Sequence, residues 1–232
     1  MRNVDELEIK KFENLASRWW DPNSEFKPLH DINPLRINYI SRILNLAEKS
    51  VLDIGCGGGI LAEGLTHHGA RVTAIDMAEA SLSVAKLHQY ESKLDIDYRF
   101  CSAEVLAVEE PGSYDVITCL EMLEHVPDPA SIVRSCFELV KPGGTVFFST
   151  INRNPKSYIF AILGAEYVLN LLPKGTHKYA KFIRPSELAN WCRKSNLELK
   201  GQIGMGYNPL TKRYFLQDNL DVNYIAHYQK PE

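Results

Sequence analysis

Through the middle of the chain, short apolar runs alternate with longer stretches of helical period. "SVLDIG", from residue 50, reads as a strand with a glycine stop, and "ILAEGLTHHG" as a helix that ends at Gly69. "ARVTAID" is the next strand, "AEASLSVAKLHQYES" the next helix, and "IDYRFC" and "YDVITCL" are a third and a fourth strand. "PASIVRSCFELVKPGG" has the proline entry and glycine exit of a helix, and "TVFFSTI" is a fifth strand. This alternation predicts an α/β fold of right-handed βαβ units, a mostly parallel sheet with helices on both faces. "LELKGQIGMG" and "DVNYIAHYQ" bring the strands to seven and suggest an antiparallel edge. Ahead of the sheet, Asp5 reads as the N-cap of a helix with Leu7, Ile9, Phe12 and Leu15 on one face. "WWDPNSEFKPLHDINPLR" then reads as an ordered loop, and a helix is expected near 34–48.

A chain of 232 residues is enough for one α/β domain and its core. Residues 1–48 form an expected helical cap, 49–152 a ligand-binding core, 153–184 a helical insert or lid, and 185–232 the last part of the sheet. Hydrophobic residues make up 45% and charged ones 24%, which argues against disorder, and a net charge of −3 gives no reason to expect a nucleic-acid partner. The cysteines, at 56, 101, 119, 136 and 192, are odd in number and lack CxxC spacing. Neither a disulfide framework nor a zinc knuckle is expected, and the pattern suits a reducing cytosol. The charged N-terminus lacks the apolar core of a secretory signal, and no uncharged apolar run reaches the ~20 residues of a spanning helix. The insert modifies that picture. "SYIFAILGAEYVLNLLP" has one charge, Glu166, and Arg153 to Arg184 holds six Lys/Arg against that one acid. Two readings stay open: an apolar helix that docks on an anionic leaflet, or a cap that packs over the active site.

In such a sheet, ligands bind beyond the carboxyl ends of the strands. The first strand runs into "DIGCGGG", where Gly55 and Gly57 let backbone approach a ligand and the next helix offers free N–H groups. Asp76 ends the second strand, where a carboxylate can accept ribose hydroxyls. These features alone also suit a nicotinamide enzyme, but that fingerprint wants glycine at 60, where Ile60 stands. Asp53 suits a cationic or amine-bearing ligand. Glu104, in "CSAE", is placed either to accept from an adenine amino group or simply as an acid at a helix N-terminus. Farther on, "ITCLEMLEHVPDP" sets Glu121 to Glu124 at i,i+3 and Glu121 to His125 at i,i+4. One helical turn would place all three on one face, with Asp128 capping the next helix and Pro129 starting it. A metal site, a base at His125 and structural support all remain open. His177, in "KGTH", belongs to a substrate lid or a surface loop, and His67, His68 and His88 read as surface residues.

Together "LDIGCGGGILAEGL", "AIDMA", "SAEVL", "YDVITCLEMLEHV" and "LVKPGGTVFFST" resemble the motif series of class I S-adenosylmethionine-dependent methyltransferases over about 100 residues. The resemblance implies a Rossmann-like fold with S-adenosylmethionine as methyl donor. Gly55 and Gly57 would pass its methionine part, Asp76 would hold the ribose, Glu104 with Ala103 would meet adenine, and Leu120 would line the methionine side. The flanks "KFENLASRWWDPNSEFKPLHDINPLR" and "STINRNPKSYIFAILGAEYVLNLLPKGTHKYAKFIRPSEL" look like the ubiquinone-biosynthesis O-methyltransferase family. That likeness implies methylation of ring hydroxyls on a polyprenyl-hydroxyphenol (catechol) precursor and on 3-demethylubiquinol, near other enzymes of that pathway. It also implies a cytoplasmic enzyme peripheral to the inner face of the membrane. Arg36 would contact the cofactor, its guanidinium clamping the methionine carboxylate; without the likeness it reads as a solvated helix charge. Glu121, Glu124 and His125 would hold magnesium, although that ion prefers oxygen ligands and histidine suits other metals better. A phenol titrates near 10, so its oxygen needs a base or a Lewis acid. His125, Glu121 and His177 are the catalytic candidates. The competing expectations are a methyltransferase for another small phenol or acid, a nicotinamide oxidoreductase, and a cofactor-binding scaffold without turnover.

Overall fold

The computed structural model describes residues 3–157 and 179–232. Five parallel strands form its centre: β1 (Ser50–Ile54), β2 (Arg71–Asp76), β3 (Ile96–Phe100), β4 (Tyr114–Leu120) and β5 (Val140–Ile151). Three antiparallel strands extend it: β6 (Glu198–Asn208), β7 (Arg213–Gln217) and β8 (Asn223–Gln229). The order across the sheet is β3-β2-β1-β4-β5-β8-β6-β7. It reverses at β1 and β4, whose carboxyl ends splay the following loops apart and leave a crevice.

Strand alternation supplies two cores. Leu52, Ile54, Ile117, Cys119 and Phe148 pack on one face with α5 (Ala103–Glu109), α6 (Pro129–Leu139) and the helix Pro185–Lys194. Val51, Val72, Ala74, Val116 and Phe147 pack on the other with α2 (Lys27–Ile43), α3 (Ile60–His67) and α4 (Glu79–Ser92). The parallel strands are therefore apolar nearly throughout.

Four expectations need correcting. The sheet has eight strands, not seven, because Arg213–Gln217 forms the outer edge. Its five residues, half-exposed, carry almost no apolar alternation. The antiparallel part is three strands, with β8 inserted between β5 and β6. Helix α2 begins at Lys27, inside the stretch expected to be a loop, and runs through Pro34. Burial of Ile32, Asn33, Arg36, Ile37 and Ile40 on its inner side outweighs the hydrogen bond that proline forfeits. In α1 (Glu6–Leu15), Asp5 caps as expected, its carboxylate accepting from the N–H groups of Leu7 and Glu8, but Leu7 is 76% exposed. Of the four apolar positions only Ile9, Phe12 and Leu15 are partly covered. Asp128 caps α6 through Ser131 N–H with Pro129 in its first turn, and Gly69 closes α3 at φ +86°.

Among the described residues no helix is long and apolar enough to cross a membrane. The expected apolar insert falls largely on residues 158–178, which lie outside the described residues, as does His177.

Candidate active site

The loop after β1 carries the first set of groups. Gly55 and Gly57 sit at φ +75° and +54°, a backbone region that glycine enters without strain. The space above them is taken by protein. A Cβ on Gly55 would meet the Met122 side chain, and one on Gly57 would lie 2.5 Å from the Trp19 ring. Trp19 stacks on Phe26 at 3.9 Å and donates from Nε1 to Ser81 Oγ at 3.2 Å. Trp20 donates to the Gly58 carbonyl at 2.9 Å and stacks on His88, which pairs with Glu63 Oε1 at 2.7 Å. His88 is thus part of a latch on the glycine loop rather than a surface residue. His67 and His68 are exposed, as expected.

Asp53 is 2% exposed at the end of β1. Its Oδ1 accepts from Thr118 Oγ1 at 2.7 Å, while Oδ2 has no partner among the described residues. Burial pushes its carboxyl up to about 7, against the pull of the Thr118 hydrogen bond and of Arg36. An ammonium facing Oδ2 would satisfy it and restore its charge. Arg36 is buried in α2 and its Nε also lacks a partner, which suits an arriving carboxylate and disposes of the solvated-charge reading. Asp76 accepts from the N–H groups of Gly57 and Ala78, both at 2.8 Å, and so ties the glycine loop to β2. Glu104 starts α5, its Oε1 accepting from Asn3 Nδ2 at 2.9 Å and Ser131 Oγ at 3.1 Å. Ala103 and Leu120 border the same space, a cavity of about 870 Å³. Asp53 and Arg36 both line this cavity, and each has one buried polar atom without a partner among the described residues, a donor and acceptor set that fits the amino-acid end of S-adenosylmethionine.

The turn after β4 is built differently from the expectation. Glu121 adopts φ +54° and donates its N–H to the Ser149 carbonyl, and a 3₁₀ turn begins only at Leu123. The three side chains therefore do not share a face. Glu121 accepts from Arg36 Nη2 at 3.0 Å, Ser149 Oγ at 2.7 Å and Asn223 Nδ2 at 3.1 and 3.2 Å. Burial opposes its charge, but Arg36 and these donors hold its carboxyl below the ordinary glutamate range. Glu124, buried, accepts from Thr150 Oγ1 at 2.9 Å; burial, then the charge of Glu121, pushes its carboxyl up. His125 turns to α1, where its Nδ1 lies 3.1 Å from Glu8 Oε2 and Phe12 packs edge-on at 5.1 Å. A cation joining the three would have to displace a guanidinium and pull each side chain from its partner. No group of three His, Cys, Asp or Glu placed to hold a metal occurs among the described residues. The expected chelate does not fit this arrangement.

Glu8 was not legible as a site residue. It lies 117 positions from His125 on a helix that reads as a polar cap, and no spacing rule joins them. The hydrogen bond from His125 draws its carboxyl down to about 2, against burial, and Lys181 pairs with it at 3.4 Å. Of the residues that hold Glu121, Ser149 is brought in by the pairing of β4 with β5 and Asn223 by that of β5 with β8.

Residues 30–200 match a family model described as a methyltransferase domain. Two solved methyltransferase structures share the fold. The magnesium protoporphyrin IX methyltransferase of Synechocystis PCC 6803, with bound SAH, has a TM-score of 0.70 at 15% identity, covering 95% of this chain and 94% of that one. A methyltransferase of Thermotoga maritima described as a possible histamine N-methyltransferase has a TM-score of 0.68 at 18% identity, covering 97% and 98%. The ubiquinone biosynthesis O-methyltransferase of Pseudomonas aeruginosa (strain UCBPP-PA14) is 64% identical over 230 residues, 99% of each chain. That of Pseudomonas entomophila (strain L48) is 62% identical over 232 residues, all of both chains. With such identity over its whole length and a cavity that fits the donor, the chain belongs to the ubiquinone biosynthesis O-methyltransferases, S-adenosylmethionine-dependent enzymes of the methyltransferase superfamily.

Proposed function

We propose that the chain methylates a ring hydroxyl of ubiquinone precursors, a polyprenyl-hydroxyphenol (catechol) and 3-demethylubiquinol. The observation that carries this reading is that one cavity of about 870 Å³ is lined both by Asp53, with its free carboxylate oxygen, and by His125. Donor and acceptor ends therefore meet in one enclosure. S-adenosylmethionine supplies a methyl group already activated on a sulfonium. The protein's part is alignment, worth several kcal/mol and up to roughly 7–11 in ideal cases, and removal of the phenol proton. His125 Nε2 takes that proton as the ring oxygen bonds to the methyl carbon. The S–C electron pair returns to sulfur, leaving neutral S-adenosylhomocysteine. Arg36 and Asp53 hold the amino-acid end, and Asp76, Ala103 and Glu104 the nucleoside end. Glu121 keeps Arg36 in place rather than acting on the acceptor.

The polyprenyl tail lives in the bilayer. The cationic insert at 153–184 suits docking on an anionic leaflet, close to the other enzymes of the pathway. The test is turnover of a short-chain demethylubiquinol analogue against a non-phenolic acid, with and without chelator. A parallel arm is flotation with anionic liposomes. Phenol-selective transfer that survives chelation, with co-flotation, is expected. Preference for the acid overturns the substrate class, and no flotation of wild type overturns the membrane role.

A further inference from the structure

Helix α1 borders the cavity, with Asn3, Asp5, Glu8 and Phe12 among the lining residues, and is fastened around its N-terminal turn. At its start, Asn3 donates to Glu104 Oε1 at 2.9 Å and to the Asp128 carbonyl at 2.8 Å, and accepts from Asp128 N–H at 2.8 Å. Farther along, Lys181 Nζ bridges Asp5 Oδ2 at 2.9 Å and Glu8 Oε1 at 3.4 Å. At this second clasp Glu8 turns its other oxygen to His125 Nδ1, and one turn farther on Phe12 bounds the ring. Glu8, Phe12 and His125 all line the cavity. Glu8 and His125 keep only 12% and 19% side-chain exposure, so the pair is largely shielded from competing water.

We infer that Glu8 is a positioning residue for methyl transfer: it fixes the ring and tautomer of His125 so that Nε2 meets the acceptor hydroxyl. This deepens the proposed function and rests on His125 being the base. The argument is one of donor and acceptor capacity. A carboxylate only accepts, so the Nδ1 facing it carries the imidazole proton. In the neutral ring the lone pair is then on Nε2. Without Glu8 the ring is free to rotate about its side-chain bonds and to place the proton on either nitrogen, and part of the population presents N–H where a base is needed. The reaction generates imidazolium, which the carboxylate stabilises. Because Glu8 comes from the N-terminal helix, the base is complete only while α1 is docked.

A merely structural clasp would behave differently, and acceptor acidity separates the two. Glu8→Ala, Glu8→Gln and His125→Ala are compared with Glu13→Gln, a change on the exposed side of α1. The acceptors are a demethylubiquinol analogue and its ring-nitrated counterpart, whose hydroxyl is already ionised at assay pH. Each variant is checked for an unchanged melting transition and unchanged S-adenosylhomocysteine affinity. On the ordinary phenol, Glu8→Ala is expected to lower kcat on the order of 10-fold or more with KM for the donor unchanged, and His125→Ala on the order of 100-fold. Glu8→Gln should fall between wild type and Glu8→Ala, since its amide oxygen still accepts from Nδ1. On the nitrated phenol both losses should shrink together. A full kcat for Glu8→Ala, or a loss equal on both phenols, overturns the role of Glu8. Full activity of His125→Ala removes the base itself, which is the failure of the underlying reading and is seen separately.

Discussion

Asp53 and Arg36 show what a single buried atom discloses. The sequence marked Asp53 as an acid at a strand end, and the structure adds that one of its oxygens has no partner and that burial has lifted its carboxyl to about 7. The sign of the consequence follows from proton binding. The folded pKa is raised from 3.8, so this group's contribution to stability is fully present below about 3.8 and is lost as pH rises through about 7. A ligand ammonium at Oδ2 reverses the preference and favours the ionised form. In calorimetric titrations, S-adenosylhomocysteine affinity should therefore rise from pH 5 towards 7. Asp53→Asn should bind weakly, show a flat pH dependence, and lose less stability over the same range. A wild-type affinity unchanged across that range would contradict this assignment. For Arg36 the residue pattern shows only a charge on a helix and the family likeness implies a cofactor contact; burial adds the physical reason, a donor nitrogen without a partner among the described residues.

At the scale of elements, the sequence reading held where apolar period and capping chemistry agreed. The five parallel strands, the Asp128–Pro129 entry to α6 and the Gly69 exit from α3 are examples. Replacing Asp128 by alanine removes the side-chain acceptor for Ser131 N–H and should cost about 1 kcal/mol. The melting temperature should then drop by about 2–4 °C, read by calorimetry. No shift would mean that the exposed cap is replaced by water without loss. The reading failed where tertiary contacts decide. β7 exists because β6 offers it an edge, and α2 tolerates Pro34 because its inner face is buried. In "LEMLEHV" helical spacing predicted a shared face. The left-handed backbone at Glu121 delays the turn and sends Glu121, Glu124 and His125 to three different partners. One dihedral angle thus separates a plausible chelate from an ion pair, a buried acid and a histidine held by another helix.

Across the whole molecule, the five parallel strands bring Asp53, Asp76, Leu120 and Glu121 to one cavity at their carboxyl edge, and elements beyond those strands close it. The "RWWD" segment roofs the glycine loop, with Trp19 in the space that side chains at 57 and 58 would need. Helix α1 brings Glu8 to His125, and β8 brings Asn223 to Glu121. That Asp53, Asp76 and Leu120 line one cavity was legible because they stand at strand ends at regular spacing. His125 and Glu121 stood out as candidates, but their partners Glu8 and Asn223 did not, since each lies more than 100 positions away and meets its partner only after folding. The central claim, that this cavity transfers a methyl group to a phenol with His125 as base, is tested most directly by single-turnover transfer from labelled S-adenosylmethionine to a demethylubiquinol analogue. Wild type and His125→Ala are compared at saturating donor. The account predicts labelled methyl ether from wild type and a rate lower on the order of 100-fold in the variant, with donor affinity intact. Equal rates, or no transfer to the phenol by wild type, would contradict it.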